Sequence, residues 1–179
     1  NNRSSHSTED NINLYYRGNL SKHWMIDFST DWYQQRNTAE QNLQEKTRFT
    51  KIDPRGNSSL WGFSPSAVYQ IKRTKLEMGV DWSKSVIQGS TTLNIDDALP
   101  TDNKIQEIKK AGYIGANWST PNERWNFNLA LRFEKTNKRY QYNTTNTESQ
   151  SYAYQTLLPS FALSYSLEQW THQFNYNSS

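Results

Sequence analysis

Apolar and polar residues alternate along several stretches of the chain. In residues 125–133 every second position is apolar, and the positions between them are mostly polar. Successive side chains of a β-strand point to opposite faces, so this pattern predicts a strand with one apolar and one polar face. Residues 24–32, 76–82 and 157–165 repeat the alternation. Four clear strands are therefore predicted.

Weaker alternation extends the strand prediction to residues 12–17, 58–71, 108–118 and 170–176. Pro65 interrupts the second of these stretches. Because proline cannot donate a ladder hydrogen bond, Pro65 predicts a sheet edge, a bulge or a strand start. The chain is predicted to be all-β, with about eight long strands joined as an antiparallel up-and-down meander.

The connections between these strands alternate between short and long. Short turns are predicted near residues 18–22, 72–74, 119–123 and 166–169. Long polar stretches, which we interpret as solvent-exposed loops, lie at residues 36–57, 88–104 and 137–151. Transmembrane β-barrels have short turns on one rim and long loops on the other. We therefore predict that the meander is part of a transmembrane β-barrel, or forms a small one.

Aromatic residues mark both ends of the predicted strands. Residues 24–32 and 125–133 each span about 26 Å as extended strands, and the apolar band of such a barrel is about 25 Å tall. The residues beside the short turns are Trp24, Trp118, Trp125 and Trp170, and those toward the long loops are Trp32, Trp82, Phe133 and Tyr140. The predicted lipid-facing girdle contains Trp24, Trp32, Trp82, Trp118, Trp125, Phe133 and Trp170.

The positions that alternate with the apolar ones carry charged residues, which in a barrel would face the water-filled interior. The predicted lumen-facing residues are Arg17, Asp27, Asp31, Glu77, Asp81, Arg132 and Glu134. Asp27 and Asp31, and likewise Glu77 and Asp81, lie four residues apart on one strand face. Such carboxylate pairs can bind cations or transfer protons. We interpret them instead as solvated groups that pair with Arg17, Arg132 or Lys84.

Composition narrows the class of protein further. Only 34% of residues are apolar and the mean hydropathy is −1.00, which is below the usual apolar share of a soluble domain. The 14% of aromatic residues argues against disorder. The net charge of +3 is mild and the charges interleave, so no nucleic-acid partner is expected. The sequence contains no run of 18 apolar residues, so no transmembrane helix is predicted.

Recognisable catalytic chemistry is missing from the sequence. His6, His23 and His172 lie far apart, and there is no cysteine. No zinc-binding HExxH spacing, glycine-rich phosphate loop or GxSxG motif occurs. Asp96 and Asp97 are adjacent acids, which is weak evidence for a calcium site. We therefore expect a protein that is not an enzyme and has no cofactor or resident metal.

The two ends of the chain favour a segment of something larger. The first ten residues are polar and lack the apolar core of a signal peptide. Complete outer-membrane barrels commonly end their last strand at an aromatic residue. Here the last strand-like run ends at Asn177. Residues 1–179 are therefore predicted to be a single β-barrel segment, excised from a longer protein.

Residues 157–165, with the sequence LLPSFALSY, resemble a recurring strand in the barrels of TonB-dependent outer-membrane receptors, especially the Bacteroidetes-type outer-membrane β-barrel family. Residues 129–134, LALRFE, are similar to the family's strand before the preceding loop. The resemblance is most specific over residues 124–179.

The resemblance implies that residues 1–179 are a fragment of a larger barrel, one wall of a 22-stranded transporter in the outer membrane of a Gram-negative bacterium. The plug domain would lie outside this fragment. The resemblance also implies outer-membrane lipid, the rest of the barrel and the plug domain as partners, with TonB acting indirectly. Such receptors import scarce nutrients, including metal chelates, glycans and peptides.

Three other architectures are compatible with the alternation. One is a complete eight-stranded outer-membrane barrel with a role in adhesion or envelope stability. The others are a soluble up-and-down barrel that holds an apolar ligand inside, as lipocalins do, and a soluble β-sandwich. The aromatic girdles and the unequal connections favour lipid outside the sheet.

Overall fold

The computed structural model of the chain describes residues 2–45, 48–93, 101–143, 147–167 and 170–178. They form eight strands: β1 (Asn2–Asn19), β2 (Trp24–Glu45), β3 (Arg48–Ile71), β4 (Thr74–Leu93), β5 (Thr101–Ser119), β6 (Trp125–Asn143), β7 (Thr147–Leu167) and β8 (Trp170–Asn177). Each pairs antiparallel with its neighbour in chain order, giving one sheet. The predicted all-β antiparallel meander is confirmed.

The sheet is open at both edges. Within the described residues β1 pairs only with β2 and β8 only with β7, so the two edge strands do not meet. The closure that a complete eight-stranded barrel requires is therefore not seen in this part of the chain. No helix that could cross a membrane occurs in the ranges the structure covers.

Short turns join the strands at one end of the sheet, as the sequence predicts. β3 and β4 are linked by Lys72 and Arg73 alone, and Lys72 has a φ of 51°. Between β5 and β6, the Asn122 side-chain oxygen accepts hydrogen bonds from the Thr120 hydroxyl and the Arg124 amide. The Thr120 hydroxyl in turn accepts a bond from the Trp125 amide. Side-chain capping of this kind fixes the register in which each hairpin starts.

The prediction of long loops at 36–57, 88–104 and 137–151 is wrong for most of these residues. β2 continues to Glu45, β4 to Leu93 and β6 to Asn143, and each keeps its pairing with the next strand. In these extensions both faces of the strands are mostly polar, so alternation disappears from the sequence. The backbone ladder nevertheless continues, and the long connections are hairpins that extend the sheet.

Pro65 also differs from its prediction. It lies in the middle of β3, opposite Phe28 of β2. Pairing between β3 and β4 is interrupted there, between Phe63–Trp82 and Ser66–Gly79, and resumes without a change of register. Because proline has no N–H donor, two residue pairs are missing from the ladder here. No bulge residue is inserted.

A single sheet has no second layer to bury its apolar face. Among the described residues Val68 is the only buried apolar side chain, at 6% exposure, and Thr136, at 2%, is the only buried polar one. By contrast Leu129 and Ile114 are each 54% exposed. Both buried residues lie on the polar face of the sheet. The polar face is thus the more enclosed, and the apolar face is open.

Candidate functional site: two faces of one sheet

Cross-strand register places all of the predicted girdle residues on one face. The members are Trp24, Trp32, Trp82, Trp118, Trp125, Phe133 and Trp170. Neighbouring rings touch across the strands: Trp24 and Tyr69 have centroids 4.9 Å apart, and Trp125 and Tyr165 4.4 Å. Such aromatic pairs stabilise a sheet beyond the area they cover.

The aromatic residues form two rows that slant in parallel across the sheet. Following the register from β2 to β6, Trp24 aligns with Leu129, four residues from Trp125. At the other end Trp32 aligns with Asn137, four residues from Phe133. Both rows therefore shift by four residues over four strands, in the same direction, and stay eight residues apart.

From this slant we can calculate the strand tilt, relative to the membrane normal, at which each aromatic row would lie at one depth in the bilayer. A shift of about 3.3 Å per strand, over a strand spacing of about 4.8 Å, corresponds to a tilt of about 35°. Strands of outer-membrane barrels tilt by about 35–45°. With that tilt the band between the rows is about 22 Å tall, close to the apolar band of such a barrel, which is about 25 Å.

The prediction that Tyr140 belongs to the loop-side aromatic row is wrong. Tyr140 pairs with Ile105 on the polar face, where its ring contacts Tyr152 edge to face at 5.9 Å between centroids. Its position in the sequence, seven residues after Phe133, is of opposite parity. Counting the parity through from Phe133 would have placed it correctly.

The predicted lumen-facing residues all share the polar face, opposite the aromatic rows. They are Arg17, Asp27, Asp31, Glu77, Asp81, Arg132 and Glu134. Arg17 Nη2 lies 3.0 Å from Asp27 Oδ2, and the hydroxyl of Ser66 donates to the same carboxylate. Asp31 accepts a hydrogen bond from the Asn13 amide. The structure thus brings the acids into contact with cations or polar donors.

Arg132 is the centre of a charged cluster on this face. Its Nη1 lies 2.6 Å from Asp81 Oδ2, and its Nε lies 2.5 Å from Glu134 Oε1. The guanidinium also lies 5.8 Å from the ring centroid of Tyr113, within the range of cation–π attraction. Tyr113 lies over Gly79, where a Cβ would come within 2.5 Å of the ring. Glycine at this strand position lets the ring lie flat against the sheet.

Lys84 does not neutralise the acids, contrary to the sequence prediction. It lies opposite Trp61 and Ile108, on the face of the aromatic rows. The cation beside Glu77 is Lys75, with Nζ 3.1 Å from Oε2. Lys75 stands two residues from Glu77 on the same strand, so parity alone indicates this pair.

Beyond the loop-side aromatic row, Glu107 bridges two lysines on the polar face. Its carboxylate oxygens lie 2.7 Å from Lys138 Nζ and 3.0 Å from Lys109 Nζ. The hydrogen bond from Lys138 is the main cause that holds the pKa of Glu107 below its usual value, with a smaller contribution from Lys109. Sequence analysis missed this trio, because Lys138 lies where a loop was expected and its approach to Glu107 depends on cross-strand register.

The described residues contain no cluster of three or more His, Asp or Glu side chains that could hold a metal ion. Asp96 and Asp97 lie outside the described residues. The geometry is that of a two-faced wall: one face is apolar and edged by aromatic rings, and the other carries the ion pairs of Arg17, Arg132, Lys75 and Glu107.

Comparison with known proteins agrees with this geometry. The family model for the β-barrel of TonB dependent receptor-like proteins matches residues 1–179. No curated protein sequence matches the chain.

Solved structures with a similar fold include two transporters and an uptake receptor. The copper transporter OprC matches 90% of the chain with a TM-score of 0.72 and 10% identity. The ferric citrate transporter FecA matches 94% with a TM-score of 0.64 and 15% identity. The ferric yersiniabactin uptake receptor FyuA from Yersinia pestis matches 92% with a TM-score of 0.62 and 12% identity. The chain spans 27–29% of the length of these three proteins.

The Glu107 bridge predicts an acid-dependent loss of stability. Because its folded pKa is lowered, Glu107 stabilises the fold above its unfolded pKa, and this stabilisation is lost as pH falls through the folded pKa. Urea unfolding of the wild type and of Glu107→Gln, at pH 7 and pH 3, measures the contribution. The wild type should lose more stability on acidification than the variant.

Glu148→Gln is the matched control, since Glu148 is exposed and makes no ion pair within the described ranges. It should change on acidification as the wild type does. An equal acid-induced loss in Glu107→Gln and the wild type would contradict the role of the bridge.

Proposed function

Because this chain belongs to the TonB dependent receptor-like β-barrel family, we propose that it forms one wall of an outer-membrane receptor that imports a scarce nutrient. The chain is an outer-membrane β-barrel protein, as its family and fold indicate. The nutrient class is open between metal chelates, glycans and peptides. The observation that carries the proposal is the exposed apolar face between two parallel aromatic rows.

Lipid contact is the simplest use of that face. Large apolar side chains line it, including Val80 at 52% exposure, and the sheet offers no second layer to cover them. The soluble lipocalin-like alternative needs the apolar parity on the enclosed side, whereas here the enclosed side is polar. Trp and Tyr side chains favour the membrane interface, because the ring is largely apolar while its N–H or O–H group donates a hydrogen bond.

The open edges support a segment of a larger barrel over a small complete one. Backbone groups inside a bilayer must be paired within the protein, because lipid offers no hydrogen bonds. β1 and β8 each have an outer edge with no partner strand in the described residues. Further strands on either side would pair these edges, and the greater length of the similar receptors leaves room for them.

The polar face would line the barrel interior and meet water or the plug domain. Arg132 with Asp81 and Glu134, and Arg17 with Asp27, leave no unpaired charge in these clusters. Pairing offsets part of the cost of desolvating these charges against a plug. TonB would act on the plug and reach this wall only indirectly. The long hairpins beyond the band would carry contacts to the nutrient.

Arginine substitutions on the two faces of β6 test the lipid contact. Leu129 lies midway between the aromatic rows on the apolar face, and Asn128 lies on the polar face. Leu129→Arg should lower the free energy of unfolding in lipid vesicles by about 2–4 kcal/mol, because it places a charge near the bilayer midplane. Asn128→Arg should change it by less than about 1 kcal/mol. Equal losses at the two positions would reject the lipid-facing assignment.

Growth on defined limiting media tests import. A strain lacking the full protein should grow more slowly than the complemented strain when one nutrient class is scarce, whether a metal, a glycan or a peptide. Loss of TonB should cause the same defect, because uptake needs energy relayed from the inner membrane. Equal growth of the two strains in every limiting medium would contradict a role in import.

A further inference from the structure

Three lysines on neighbouring strands lie just beyond the loop-side aromatic row, on the apolar face. Lys84 follows Trp82 by two residues on β4, and Lys135 follows Phe133 by two residues on β6. On β5, Lys110 lies directly opposite both Trp82 and Lys135. We call Lys84, Lys110 and Lys135 the lysine tier.

The lysine tier concentrates positive charge that no ion pair among the described residues neutralises. Lys110 and Lys135 face each other across the ladder, an arrangement that is destabilising for like charges. In the described ranges none of the three lysines makes an ion pair. The ion pairs of Arg17, Lys75, Lys109, Arg132 and Lys138 lie on the polar face. On this face of β4–β7, the nearest described acid is Asp102, eight residues from Lys110 along β5, or about 26 Å.

The lysine tier is confined to these strands. At comparable height on the same face, the flanking strands carry neutral residues: Gln34 on β2, Ser59 on β3 and Gln155 on β7. General enrichment in lysine at a membrane interface would be spread around the wall. Its restriction to three adjacent strands makes the tier a compact cluster of positive charge.

Position and chemistry together indicate the occupant. The apolar face continues below the lysine tier through residues such as Val80 and Ile114, where acyl chains would lie. Lysine stems can follow an apolar surface while the ammonium groups reach the headgroup level. Lysine is a common phosphate ligand, acting as a point charge. A phosphate between Lys110 and Lys135 would replace repulsion with attraction.

We propose that the lysine tier binds the phosphate of a lipid headgroup in the leaflet on the long-hairpin side. This inference rests on the lipid-facing role of the apolar face proposed above. Lys110 and Lys135 form the centre of the site, since their Cβ atoms are expected about 5 Å apart. Lys84 adds a third charge diagonally across β4 and β5.

Lipid retention by the protein purified from its membrane tests this site. The protein in neutral detergent is incubated with diphosphorylated lipid A, monophosphorylated lipid A or phosphatidylcholine, and the lipid retained after gel filtration is quantified by mass spectrometry. The double variant Lys110→Gln/Lys135→Gln should bind diphosphorylated lipid A at least about tenfold more weakly than the wild type. Retention of phosphatidylcholine should be unchanged, which shows that the variant is folded and that its apolar face still takes lipid.

Two further variants separate local charge from net charge. Lys104→Gln removes a lysine from the same strand and face, six residues beyond Lys110, and should bind as the wild type does. Lys110→Arg/Lys135→Arg keeps the charge and should retain the lipid.

Three results would overturn the proposal. They are undiminished lipid A binding by the glutamine pair, an equal loss in Lys104→Gln, and displacement of the lipid by an equal concentration of inorganic phosphate. The last result would assign the lysines to a soluble phosphate. If the wild type failed to retain phosphatidylcholine as well, the lipid-facing role itself would fall, which separates the two proposals.

Discussion

The structure depends on the register of one continuous antiparallel ladder. The sheet has no second layer and almost no buried apolar side chain, so cross-strand pairing must define which residues share a face. A slip of one residue would move every side chain of a strand to the other face. Leu129 would then enter the polar face, and Arg132 would leave Asp81 for the apolar one. Capped turns and charge pairs hold the register against this slip.

The same register relates the two faces to the membrane. It aligns the aromatic residues in two parallel slanted rows, and the slant matches the strand tilt of an outer-membrane barrel. It also gathers the acids with their cations on the enclosed face, while the lysine tier falls just past the upper row on the open face. In the proposed wall, depth in the bilayer, pairing of charge and exposure to lipid would all follow from which residues pair across the strands.

Much of this arrangement could be predicted from the sequence, because alternation is strong where one face is apolar. Residues 125–133 defined their own strand and its two faces, and the parity of the seven girdle positions needed no structure. The paired extensions beyond the band could not be predicted, since both of their faces are polar and the backbone ladder leaves no mark on composition. Glu107 was missed because its closest cation, Lys138, is set by cross-strand register, which a single sequence does not display. Lys84 was misplaced although its parity with Trp82 indicates the apolar face.

Accessibility scanning along β6 tests the central claim that the apolar face meets lipid. This chain has no cysteine, so single cysteines at positions 127–132 can each carry a spin label in the reconstituted protein. We expect labels at 127, 129 and 131 to respond mainly to oxygen dissolved in lipid, and labels at 128, 130 and 132 to a water-soluble relaxing agent. The opposite phase, or no alternation, would contradict the account.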